Sequence, residues 1–359
     1  MNFELTADRR MLADTLRRYL NDRYGFSERC LIAESDHGWS RKHWARFSEL
    51  GVVGALFGEA VGGFGGEGFD IAVVFEQLGR ALVVEPFLGT LMAGVALNNA
   101  LPETVISGEE ILAFAHGEPA SRHNFESIAT RAEQDGESWV LNGEKAVVPQ
   151  IETATRVIVT AIAPSGPSLF SVERAAAGMQ VRGYPMIDGG RGGEISFRST
   201  PAILIRPAST AIIEHAVAAG ILALCWEAIG IMDFMSAATL DFMRTRQQFG
   251  VAIGKFQALQ HRMGTVALEI EQARSAAINA AAALSGERWL RERAVSAAKF
   301  TIGRVGTLVV EESIQIHGGI AMTWDLSLSH YAKRLTIIGH QLGDEDYHLD
   351  RFIALASAA

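Results

Sequence analysis

The chain has 359 residues, too many for one small core, and 48% hydrophobic with 20% charged content, as in an ordinary soluble globular protein. A net charge of -9 gives a nucleic-acid partner no overall attraction, and 8% aromatic content without a basic stripe argues against a single-strand-binding surface. Two cysteines (Cys30 and Cys225), histidines without ligand spacing and an N-terminus lacking a basic-then-apolar leader lead us to expect a cytoplasmic protein with no metal and no disulfide framework.

Residues 3–110 read mostly as helix, with Thr6 and Ser40 in position to cap amphipathic runs. The run Gly62-Gly-Phe-Gly-Gly-Glu-Gly68 has two readings, a phosphate cradle or a helix-to-helix turn, and the short apolar stretch before it favours the turn. Residues 70–83 continue as helix.

Between 111 and 207 the periodicity changes. Asn142-Gly143 is a hairpin-turn signal, and Arg156-Val-Ile-Val-Thr-Ala-Ile162, Ser168-Leu-Phe-Ser-Val-Glu173 and Gly193-Glu-Ile-Ser-Phe197 read as strands. Helical patterns return at 211–248, 256–285, 288–317 and in a shorter segment from 325. The most apolar run, 212–235, is interrupted by Glu214, His215, Glu227 and Asp233, so it reads as a buried bundle helix rather than a membrane span. The expected architecture is mainly α with a small β domain: an N-terminal helical domain over 1–110, a barrel-like β domain over 111–207 and a C-terminal four-helix bundle over 208–359.

The stretch Arg244-Thr-Arg-Gln-Gln-Phe-Gly250, continued to Gln257, sits where one long helix pattern stops and another restarts. Arginines there suit the negative end of a helix dipole, with Gly250 as the helix stop. Forked guanidiniums also suit a pyrophosphate, but taken alone the stretch favours the helix end. No Gly-x-Ser-x-Gly elbow occurs, so a hydrolase reading has no support.

Arg246-Gln-Gln-Phe-Gly250 with Gln257, Gln315-Ile-His-Gly-Gly319, Asn142-Gly-x-Lys145, Asp188-Gly-x-Arg191 and Glu118-Pro119 together resemble the acyl-CoA dehydrogenase family along nearly the whole chain. The resemblance implies an FAD enzyme that desaturates an acyl-CoA thioester between its α and β carbons and passes electrons to an acceptor protein. A glutamate takes the α proton and the flavin the β hydride. It also implies that Arg246, Phe249, Gln257, Gln315, Gly318 and Gly319 clamp the adenosine and pyrophosphate half of an FAD whose ring sits in a neighbouring chain. Arginine neutralises phosphate, glutamine both donates and accepts, and glycine allows close backbone approach. His317 stands next to the clamp, with a cofactor contact and a structural role both open.

Several positions depart from the family pattern. Where the flavin loop reads Thr-Glu-Pro-Gly-Ala-Gly-Ser, this chain has Gly117-Glu-Pro-Ala-Ser-Arg-His123; where the family has Trp-Ile-Thr, it has Val147-Val-Pro149. Leu342 occupies the expected glutamate position, so no catalytic base is assigned; Glu227 and Asp344 are nearby carboxylates, and Gly220 fills the alternative base position. Glu227 otherwise reads as a satisfied polar group in the bundle and Asp344 as a cap.

The chain is also similar to a narrower group, the pimeloyl-CoA dehydrogenase small subunits and related short members, through Gly38-Trp-Ser40, Leu112-Ala-Phe-Ala-His116, Arg182-Gly-Tyr-Pro185, Ala223-Leu-Cys-Trp-Glu-Ala-Ile-Gly230 and His330-Tyr-Ala-Lys-Arg-Leu-Thr336. That resemblance implies a hetero-oligomer with a larger related subunit that carries the glutamate. Alternatives are a homo-oligomer with a displaced base, a non-catalytic scaffold subunit, and a flavin monooxygenase or oxidase of the same fold. No residue selects among fatty, steroid side-chain, dicarboxylic or aromatic acyl-CoA substrates.

Overall fold

The structure, a computed structural model, describes residues 5–136 and 138–357. Its elements are α1 (Ala7–Arg23), α2 (Phe26–Glu34), α3 (Arg41–Glu49), α4 (Gly68–Ala81), α5 (Phe87–Leu97) and α6 (Glu103–Ile106), then seven strands, β1 (Leu112–Ala115), β2 (Arg131–Asp135), β3 (Ser138–Pro149), β4 (Arg156–Ala163), β5 (Gly166–Glu173), β6 (Met179–Pro185) and β7 (Arg191–Arg206). Helix α7 (Thr210–Thr245) follows, then the short strands β8 (Gln247–Gln248) and β9 (Val251–Ala252), α8 (Gln257–Ala283), α9 (Arg288–His317), α10 (Ser327–His340) and α11 (Glu345–Ser357). The last sequence pattern is therefore two helices, broken where Leu342 and Gly343 take positive φ of 56° and 104°. Thr6 and Ser40 cap as their side chains allow, accepting from the amides of Arg9 and His43 at 3.3 Å each.

Two compact units emerge, one formed by Met1–Arg29, Gly68–Val83 and Ile221–Ala359, the other by Cys30–Glu67 and Val84–Gly220. In the first, α4 meets its neighbours backbone to backbone. A Cβ on Gly79 would lie 2.1 Å from the Glu227 carbonyl oxygen, one on Gly230 2.1 Å from that of Glu76, and one on Gly68 2.1 Å from that of Ala281. Only glycine permits these approaches. Arg274 reaches from α8 to Asp233 on α7 at 2.7 and 2.8 Å, and Arg9 ties α1 to Asp70 on α4 at 2.7 Å. Helix α7 is long and apolar enough to cross a membrane by length and composition, but 89% of its most apolar window is buried within the fold, as in a core helix.

In the second unit, strand pairing runs β4–β2–β3–β7–β5 and returns to β4, a closed barrel, with β1 added in parallel on β4 and β6 antiparallel on β7. Leu141, Ile151, Val157, Val159, Phe170, Ile195 and Phe197 fill it. Asn142-Gly143 does not turn a hairpin, contrary to its dipeptide signal. It is a bulge within β3, where the pairing with β7 slips by one residue. Gly143 is needed because a Cβ there would lie 2.7 Å from Thr130 Cα. The glycine-rich loop is a turn, as the sequence favoured: the amides of Gly63, Phe64, Gly65 and Gly66 are spent on the carbonyls of Gly58, Gly54, Phe57 and Ala55. None of these four is left for a phosphate.

Candidate functional site

Each unit carries one group of candidate residues. In the helical unit, α7 ends at Thr245 and the chain makes a two-strand hairpin, β8 to β9, before α8. Its turn residues Phe249 and Gly250 both have positive φ, 54° and 79°. Gly250 is thus a hairpin-turn glycine rather than a helix stop. The Phe249 side chain is 92% exposed. The hairpin is tied down by Arg246, whose amide donates to the Phe242 carbonyl and whose carbonyl accepts from the Ile253 amide, both at 2.8 Å. Gln260 Nε2 donates to Gly254 O at 2.8 Å.

Two side-chain contacts bring the Gln315–Gly319 segment to the same end of the bundle. The Phe242 ring stacks on the His317 ring at a centroid distance of 4.3 Å and 25°, and Arg262 on α8 pairs with Glu312 on α9. Arg246, Phe249, Gln257, Gln315, Gly318 and Gly319 are all exposed. Arg244 is occupied by Asp241 at 2.9 Å. The guanidinium of Arg246 has no partner among the described residues. A Cβ built at Gly318 or Gly319 would meet nothing within 4 Å. A free guanidinium, an exposed aromatic ring that Phe256 meets edge to face at 6.1 Å, and open backbone at Gly318 and Gly319 fit the pyrophosphate and adenosine of a dinucleotide.

In the barrel unit, the Gly117–Thr130 loop is clasped to β3 by a buried network. Glu118 accepts from Lys145 Nζ at 2.7 Å, Thr130 Oγ1 at 2.7 Å, and the amides of Thr130 at 3.0 Å and Ala129 at 2.7 Å. Lys145 Nζ also donates to His116 O and Thr160 Oγ1, both at 3.1 Å. Burial works against the Glu118 charge, but the Lys145 ammonium and the Lys145 and Thr130 hydrogen bonds prevail and hold the carboxyl below its ordinary range. Burial, partly offset by Glu118, brings Lys145 down to about 8. His116 is pushed down to about 3, first by burial and then by the Lys145 charge, so its ring is neutral. Glu118 is therefore a loop anchor with its oxygens spoken for.

The cradle positions themselves carry little. The nearest atom to a Cβ on Gly117 would be 3.4 Å away, so the loop has room for the hydroxyl side chain it lacks. Val147 is 58% exposed at φ 52°, an unfavourable conformation for a β-branched residue, where the pairing of β3 with β7 shifts register.

At the base position, Leu342 stands on the turn between α10 and α11, its carbonyl accepting from His348 Nε2 at 2.9 Å. Neither nearby carboxylate is placed as a free base. Glu227 makes a two-pronged pair with Arg334 at 2.6 and 2.7 Å, and Asp344 caps α11 through the Tyr347 amide at 3.0 Å. Gly220 is buried in α7 and has no side chain to offer. Sequence reading missed Lys299, His348 and Arg334, which hold this region together. Their signal was a charged or polar side chain on a helix face otherwise occupied by core residues.

A helix–barrel–bundle fold with exposed arginine, glutamine and diglycine positions at one end of the bundle is that of a flavoprotein oxidoreductase, with FAD as cofactor. Sequence models of the acyl-CoA dehydrogenase N-terminal, middle and C-terminal domains match residues 6–100, 113–199 and 210–354. Acyl-CoA dehydrogenase IpdE2 of Mycobacterium tuberculosis is 28% identical over 334 residues, covering 91% of this chain and 90% of that protein. Among solved structures, a variant of the steroid ACAD Tcur3481–Tcur3483 superposes with a TM-score of 0.91 at 26% identity over 98% of both chains. The ChsE4–ChsE5 complex from Mycobacterium tuberculosis gives 0.92 at 20% identity over 100% of both, a likeness of fold. The chain belongs to the acyl-CoA dehydrogenase family.

Proposed function

We propose that this chain is the small subunit of a heteromeric acyl-CoA dehydrogenase. It closes its clamp over FAD seated in a larger related subunit, which supplies the glutamate base and the flavin-ring cradle. The carrying observation is an asymmetry. The six clamp positions are intact and exposed, and Arg246 is unpaired among the described residues. The chain's own base position is leucine, and Gly117, Val147 and Pro149 replace the hydroxyl and indole side chains expected at its cradle.

When bound, FAD supplies the hydride acceptor. The residues of this chain then bind and orient. Arg246 faces phosphate charge, Phe249 covers a ring, Gln257 and Gln315 offer amide hydrogen bonds, and Gly318 and Gly319 let the ligand approach the backbone. Two structural neighbours are named as pairs, ChsE4–ChsE5 and Tcur3481–Tcur3483, and the latter is described as a steroid ACAD. Both favour a two-subunit assembly, and the second favours a steroid-derived acyl-CoA as substrate; an electron-transfer protein as acceptor is what the family resemblance implies.

The test is flavin content per chain after purification with and without the larger subunit. Flavin and acyl-CoA oxidation only in the co-purified assembly are expected. Stoichiometric FAD and activity in the isolated chain would overturn the proposal. Arg246→Ala separates a contributing subunit from a mere scaffold: a contributing subunit loses FAD, whereas a scaffold assembles with full flavin.

A further inference from the structure

His317 has its ring orientation and its tautomer set by two different elements. Its face is stacked on Phe242 of α7 at 4.3 Å. Its Nδ1 lies 2.9 Å from the Ser313 carbonyl oxygen, one turn back on α9. A carbonyl oxygen only accepts, so Nδ1 carries the proton. Nε2 is then a lone-pair acceptor. It makes no hydrogen bond with any described residue, and it is not fully enclosed by them. Burial holds the ring's proton affinity below its ordinary value, which keeps Nε2 bare near neutral pH. The ring is adjacent to Gly318 and Gly319, and Phe242 stands one helical turn before Arg246.

A bare nitrogen acceptor repels phosphate oxygens and attracts a hydroxyl or amine hydrogen. The pyrophosphate of a flavin dinucleotide has no such hydrogen at neutral pH, whereas its adenosine half has them on the ribose and on the adenine amine. We propose that His317 accepts a hydrogen bond from the adenosine half of the dinucleotide, dividing the work with Arg246, which takes the phosphates. This rests on the clamp reading above.

The experiment uses the native assembly stripped of flavin and titrated calorimetrically with FAD, ADP and inorganic pyrophosphate. His317→Phe keeps a ring on Phe242 and removes the acceptor; His317→Gln keeps an acceptor of similar reach. We expect His317→Phe to weaken FAD and ADP by about three- to ten-fold, as for one net hydrogen bond, and to leave pyrophosphate unchanged. His317→Gln should recover most of the loss. Because the ADP-to-pyrophosphate comparison is made within each variant, it stands even if a variant is less stable. Unchanged ADP affinity in His317→Phe, or an equal loss for pyrophosphate, overturns the inference. Arg246→Ala weakens both ADP and pyrophosphate if the clamp reading holds. If Arg246→Ala has that effect and His317→Phe has none, only the histidine assignment falls. If neither variant changes any affinity, the clamp reading falls with it.

Discussion

The ammonium of Lys299, 1% exposed on α9, donates to the carbonyl of Gly343 at 2.6 Å and to that of Gly339 at 3.0 Å. One side chain thus holds both sides of the turn that presents Leu342. Lys299→Met keeps the buried stem but leaves two carbonyls without a donor, each costing about 1–3 kcal/mol, offset in part because a buried charge also disappears. A melting temperature lower by about 5 °C and faster amide exchange over residues 341–348 are expected. An unchanged melting curve would show that the turn holds itself.

Glu227 and Arg334 form a pair with side chains 8% and 16% exposed. Removing either partner strands a buried charge, so Glu227→Gln or Arg334→Met alone should destabilise by about 3–5 kcal/mol in denaturant titration. The double variant Glu227→Leu/Arg334→Met should lie well above either single one. Were the two single losses to add in the double variant, the pair would not be acting as a unit. The same pairing keeps the Glu227 oxygens engaged, which is why this carboxylate makes a poor displaced base.

Phe249 is held at φ 54° with its ring 92% exposed, and an edge-to-face contact with Phe256 at 6.1 Å gives the isolated chain little burial in return. Phe249→Gly relieves the left-handed strain and should raise stability by about 1 kcal/mol, read by chemical unfolding. The same variant should lower FAD retention of the assembly. Stability rising while flavin retention stays intact would argue that the ring has no part in the clamp.

His116 has its folded-state pKa at about 3 against an ordinary 6.5. Between those values the unfolded chain binds the proton and the folded chain does not, so stability rises with pH over that window. In the opposite direction it is lost as pH falls from 6.5 toward 3, by up to about 1.4 kcal/mol per pH unit from this one group. His116→Gln removes that proton from the balance, and its acid unfolding curve should be flatter over the same range. Parallel wild-type and variant curves would assign the acid sensitivity elsewhere.

Much of this protein was legible in its residues, because the evidence was local. Helix caps at Thr6 and Ser40, β-branched runs such as 156–162 and the long apolar pattern of α7 depend on neighbours within a turn or two. The motif positions from Arg246 to Gly319 were also readable, as residue types at fixed spacing. Asn142-Gly143 misled because the dipeptide reports only that positive φ is allowed. Whether the chain then turns or bulges depends on Thr130, which approaches Gly143 from the end of the loop that leads into β2. Gly250 misled in the same way: the hairpin it closes is held from Phe242 and Ile253, outside the dipeptide. The tertiary structure alone decided which polar groups were free. Glu227, Asp344 and Glu118 are carboxylates of one kind in the sequence; packing gives them Arg334, the Tyr347 amide and Lys145 as partners. Arg246 and Arg244 stand two residues apart, and only the second is taken up by a carboxylate, Asp241. Sequence determines which groups can bond; three-dimensional proximity and the cost of leaving a buried polar atom unpaired determine which bonds are already made, and so which remain for a ligand.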